Sequence, residues 1–189
     1  MLERYLLLAA LLSIIGSCAT APVQPDSNAV IIRNVPFYAQ EEYQCGPASL
    51  AGVLNYWNIS ATPEEIAKDI YSGSARGTLN LDMLFYAQRK GADALHYSGG
   101  WDDLREKINK GYPLIVMVDN GFSIYQVHHF MVAVGYSEGS VIVNSGAAER
   151  AVIDKGRFLT TWKKTNYWTL WIKKNTESRS QNPEARIEK

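Results

Sequence analysis

The stretch Gln40-Glu41-Glu42-Tyr43-Gln44-Cys45-Gly46-Pro47-Ala48-Ser49-Leu50-Ala51-Gly52-Val53-Leu54-Asn55-Tyr56-Trp57 decides how this chain is read. Its opening residues are polar. From Gly46 onward, Leu50, Val53, Leu54 and Trp57 recur at the three-four spacing of a buried helix face. Cys45 therefore stands at a helix N-terminus, where the positive end of the macrodipole favours thiolate over thiol. A free cysteine is more often a small buried hydrophobe. The polar approach and the Gly-Pro that follows argue instead for a nucleophile.

Outward from this helix the first half of the domain reads helical. Thr62-Pro63-Glu64-Glu65 is a capping box with proline at the first helical position, which predicts a short helix to about Ile70. Leu81 to Lys90 is periodic and stops at Gly91, and Trp101 to Lys110 stops at Gly111. The second half reads as strands: Pro113 to Val118, His129 to Tyr136, a turn at Ser137–Ser140, Val141 to Val143, and Tyr167 to Ile172. Helices first and antiparallel strands later predict an α+β domain, a helical half packed against a sheet. Tyr71 to Thr78 reads as a loop between helices that could border a cleft.

The chain has 189 residues, the length of one ordinary domain. Its 47% hydrophobic and 20% charged composition suits a globular chain rather than a disordered one. Net charge is zero with no lysine-arginine block, which argues against nucleic-acid binding.

The N-terminus is a targeting segment. An apolar run from Tyr5 to Ile15, shorter than the roughly 20 residues a spanning helix needs, leads into Ile15-Gly16-Ser17-Cys18. That tetrad resembles the bacterial lipobox. The resemblance implies a signal peptide over 1–17, cleavage after Ser17, lipidation of Cys18, and anchoring to an envelope membrane by buried methylenes. Ala19 after the cysteine resembles the outer-membrane sorting preference of Gram-negative lipoproteins. Residues 18–29 then serve as a lipidated cysteine and flexible tether, 30–174 as the domain, and 175–189 as a disordered polar tail. Of two cysteines, a lipidated Cys18 leaves Cys45 without an intramolecular partner.

A cysteine hydrolase needs a base for its thiol, a group that orients the base, and donors for the oxyanion. The chain has three histidines. His96 reads as structural or surface. His128 and His129 are adjacent, so on a strand they point to opposite faces and one alone can meet the thiol. Parity does not choose between them.

Val35-Pro36-Phe37-Tyr38-Ala39-Gln40 running into Cys45-Gly46-Pro47-Ala48-Ser49-Leu50, followed later by His129-Phe130-Met131-Val132-Ala133-Val134-Gly135-Tyr136, resembles the papain-like bacteriocin-processing (double-glycine leader) peptidases and their peptidase-like relatives. The resemblance implies a papain-like fold, peptide or protein substrates, and catalysis by Cys45 with His129 as base. It also implies that Gln40 donates to the oxyanion beside the Cys45 N–H, with Gln44 as competitor. Gln40 stands five residues before Cys45, one fewer than in typical leader peptidases. Relatives orient the histidine with an aspartate where this chain has Val143-Asn144-Ser145-Gly146. Asn144 is the chosen orienting residue, since an asparagine can hold a histidine in such sites; Ser145 and Asp119 are the alternatives.

No cofactor is expected, nor a metal: three histidines and one free cysteine make a poor zinc site. The chain lacks a Gly-x-Ser-x-Gly elbow, a P-loop and a dinucleotide fingerprint. Acyl transfer or amide hydrolysis at the same Cys-His pair, and a silent peptide-binding module, are the competing functions.

Overall fold

A computed structural model describes residues 27–39, 44–72, 77–78 and 80–175, apart from the side chains of 71, 72, 77 and 78. Helix α1, Cys45–Tyr56, is its axis. Gly46 to Leu54 are buried without interruption, so the helix is enclosed on all sides rather than along one stripe. The extended segment before it crosses so closely that a Cβ on Gly52 would lie 2.7 Å from the Pro36 carbonyl oxygen. At the far end, the Asn55 side-chain amide donates to the carbonyls of Ala51 and Ala61, turning the chain toward the next helix.

Helix α2, Pro63–Ile70, begins on the expected reciprocal cap. Glu65 Oε2 accepts the Thr62 N–H at 3.0 Å, and Thr62 Oγ1 accepts the Glu65 N–H at 3.2 Å. Helices α3, Asn80–Arg89, and α4, Trp101–Asn109, also fall where periodicity predicts them. Gly91 and Gly111 follow them at φ 84° and 78°, the left-handed turn that ends a helix.

The sheet is antiparallel and seven-stranded. Its strands are β1, Val30–Ile31; β4, Ala92–Ser98; β5, Leu114–Asp119; β6, His128–Tyr136; β7, Ser140–Ser145; β8, Ala148–Asp154; and β9, Trp168–Lys174. They run in the order β4-β9-β5-β6-β7-β8, with β1 added to β6 beyond the start of β5. Tyr71–Ser72 (β2) and Gly77–Thr78 (β3) pair as a small separate hairpin, so the ends of the stretch read as a loop are strands. Helix α1 packs across β6 and β5, and Leu50, Val53 and Leu54 share one core with Leu114, Val116, Ala133 and Val143.

The architecture is the expected α+β class, with the last strand, β9, inserted between β4 and β5. Strand β4 lies between α3 and α4 in the chain and closes the sheet edge against β9. Helix α5, Lys155–Lys163, was not legible as a helix in a stretch containing Gly156, Thr160 and Thr161, poor helix formers. Its signal was Asp154, whose carboxylate caps the Arg157 N–H at 2.8 Å. Phe158 and Trp162 anchor it, the indole N–H donating to the Trp168 carbonyl at 3.0 Å. No helix among the described residues is long and apolar enough to cross a membrane.

Candidate active site

Cys45 is the first residue of α1, half-buried, with the Gln44 carbonyl accepting the Ala48 N–H behind it. The opening turn of a helix leaves its N–H groups without intrahelical acceptors, so the Cys45 and Gly46 amides point outward beside the thiol. Pro47, next in line, has no N–H to leave unpaired. Burial pushes the Cys45 thiol above its ordinary range, and the backbone amides of Phe130, Gly46 and Cys45 itself pull it back less strongly.

The Phe130 amide puts strand β6 beside the thiol, and the residue before Phe130 is His129. His129 is half-buried and burial lowers its pKa, favouring neutral imidazole. Its Nε2 lies 2.8 Å from Ser145 Oγ. With Nε2 so engaged, Nδ1 is the nitrogen left to serve a thiol. His128 turns the other way into solvent, across the ladder from Asp119. His96 is exposed on β4, with its ring stacked at 6.4 Å from Trp168.

The bond to His129 Nε2 comes from Ser145, the alternative to Asn144, and the strand register accounts for it. In a regular hairpin closing at Tyr136↔Val141, residue 144 would fall on the His129 face. A bulge between Ala133 and Gly135 shifts the register by one, pairing Val132 with Asn144 and Ala133 with Val143. A one-residue slip exchanges the faces, so Ser145 takes the place beside His129. Asn144 is buried on the opposite side, its Oδ1 accepting the Arg150 N–H at 3.0 Å where β8 bulges in turn. Asp119 is likewise committed elsewhere: its Oδ1 accepts the N–H groups of Gly121 and Val127, each at 2.8 Å, and these bonds hold its pKa down.

Gln44 precedes α1 without capping it through its side chain. Gln40 and Cys18 lie outside the described residues, as do the signal segment, most of the tether and the tail beyond Asn175. Among the described residues no group of three potential metal ligands comes together.

A half-buried cysteine at a helix N-terminus, beside the backbone amide that follows a histidine on a central antiparallel strand, is set in a papain-like α+β fold. The profile of the Peptidase_C39 like family matches residues 32–169, and the chain belongs to that family. No curated protein matches it. Among solved structures it resembles a putative C39-like peptidase from Bacillus anthracis, with TM-score 0.67, 17% identity, and coverage of 78% of this chain and 98% of that one. The peptidase domain of Streptococcus ComA, a bifunctional ABC transporter of a quorum-sensing pathway, gives TM-score 0.63 and 19% identity over 75% of this chain and all of that one (100%). A double-glycine-motif protease from an AMS/PCAT transporter, in complex with its leader peptide, gives TM-score 0.60 and 24% identity over 81% and 99%. At these identities the likeness is one of fold.

Proposed function

We propose that this chain is a cysteine peptidase in which Cys45 is the nucleophile, His129 the general base and Ser145 the residue that positions His129. The observation that carries the proposal is the Ser145–His129 contact at 2.8 Å on the strand whose next amide reaches the Cys45 thiol. Cys45 Sγ attacks a peptide carbonyl as His129 Nδ1 takes the thiol proton. The oxyanion is met by the Cys45 N–H and, from its place five residues upstream, by Gln40. His129 returns the proton to the departing amine, leaving a thioester. Water, deprotonated by His129, cleaves the thioester and frees the acid.

Burial of both groups favours a resting thiol and neutral imidazole over a preformed ion pair. Proton transfer then accompanies attack. The lipobox at Ile15–Cys18 supports a location on an envelope membrane, the outer membrane in a Gram-negative cell. The test is incubation with a mixture of unstructured peptides, reading new termini by mass spectrometry. Cleavage that Cys45→Ala abolishes is the expected result. New termini unchanged by Cys45→Ala, or none from the wild type, would overturn the assignment. Incorporation of a palmitate label, lost in Cys18→Ala, tests the anchor separately.

A further inference from the structure

Between β5 and β6 the chain holds Phe122, Ile124, Tyr125 and Val127 with 87%, 84%, 75% and 56% of their surface in solvent. Scattered exposed apolar residues are ordinary; four large ones on one short connection mark an interaction surface. The connection is built, not slack. Asp119 Oδ1 holds the Gly121 and Val127 amides. The Asn120 N–H donates to the Val127 carbonyl at 2.9 Å, the Tyr125 N–H to the Phe122 carbonyl at 3.1 Å, and the Lys164 ammonium to the Gly121 carbonyl at 2.7 Å. A Cβ on Gly121 would collide with the Tyr125 carbonyl, so the loop closes as it does because this residue is glycine.

Exposure this high means that the side chains project singly, with no groove wall around them. A subsite for a peptide side chain is concave. The interfacial layer of a bilayer, by contrast, accepts convex apolar tips, and aromatic residues with neighbouring lysines suit it well. Lys164 is fastened to this loop, and both it and Lys163 before it in the chain are exposed, the sign that anionic headgroups attract. We propose that this loop is a second membrane contact. Phe122, Ile124, Tyr125 and Val127 enter the interfacial layer, Lys163 and Lys164 meet the headgroups, and the Cys45–His129 cleft is held against the surface.

The proposal rests on the anchored reading of Cys18 for the presence of a bilayer. Geometry permits both contacts together. β1 joins the end of β6 opposite the loop, roughly 27 Å away at the rise of an extended strand. Residues 18–29 can reach about 40 Å when extended.

The experiment uses residues 18–189 bearing Cys18→Ala, so that no acyl chain contributes, and co-sedimentation with vesicles. The expected result is binding to phosphatidylethanolamine–phosphatidylglycerol vesicles and little to phosphatidylcholine. Binding should fall at least tenfold in Phe122→Ser/Ile124→Ser and severalfold in Lys163→Glu/Lys164→Glu, with circular dichroism unchanged. Equal binding by the loop variant, or no binding by the parent, overturns the proposal. So does a loop variant that binds vesicles normally but loses turnover of a soluble peptide, which would make the loop a peptide-recognition rim. Because no lipid is attached, these outcomes are independent of whether Cys18 is acylated in the cell.

Discussion

At His129 Nε2 the partner is a hydroxyl, Ser145 Oγ, and not a carboxylate. A hydroxyl can fix the ring and its tautomer without supplying the negative charge that would stabilise imidazolium. Ser145→Ala should therefore lower kcat about fivefold with KM little changed, the order expected from losing one hydrogen bond of about 1 kcal/mol. Ser145→Asp should raise the His129 pKa, seen as an imidazole titration by NMR moving to higher pH. A Ser145→Ala enzyme with unchanged kcat and unchanged His129 titration would remove Ser145 from the site. The pH profile follows from the same burial. His129 is depressed below the usual histidine value of about 6.5, so kcat/KM should climb along one limb centred below that pH and stay level through pH 8. A preformed thiolate–imidazolium pair would instead show an alkaline fall. Because the unfolded chain takes up the proton first, His129 contributes stability that is whole above about pH 6.5 and lost below it. Urea titrations of wild type and His129→Gln should diverge in that acid window.

At the scale of elements, legibility followed the strength of local signals. The Thr62–Glu65 box carries its hydrogen bonds within four residues, so sequence and structure agree to the residue at Pro63. Thr62→Ala should cost about 1 kcal/mol, the usual value of an N-cap, measured by chemical denaturation; no loss would mean that packing of Ile66 and Ile70 alone holds α2. Strand β8 was harder. Its residues are half-buried or exposed and include Glu149 and Arg150, so no apolar alternation announces it. The bulge between Ala133 and Gly135 was not legible at all. It is a property of how β1, β6 and β7 fit together, and it alone moves Ser145 to the face where Asn144 was expected. The proposal of Cys45 and His129 rests on sequence with the help of family resemblance. The group behind the histidine needed the register.

In the whole molecule, the proposed site depends on one buried helix meeting the middle of one sheet. Helix α1 brings a thiol from its N-terminus, β6 brings the imidazole, and β7 brings the hydroxyl, over a core shared by all three. Composition could predict the layers but not their energetic consequence: enclosing α1 on all sides buries Cys45 enough to favour the thiol. The macrodipole favours thiolate at the helix end, and burial of the thiol opposes it. Reactivity of Cys45 must then depend on its neighbour. The most direct measurement is covalent capture by a peptidyl vinyl sulfone, followed by intact mass in wild type, Cys45→Ser, His129→Ala and Ser145→Ala. The account predicts one adduct on Cys45 at neutral pH, none in Cys45→Ser, labelling slowed at least a hundredfold in His129→Ala, and an intermediate rate in Ser145→Ala. Labelling of Cys45 at the wild-type rate in His129→Ala would contradict it.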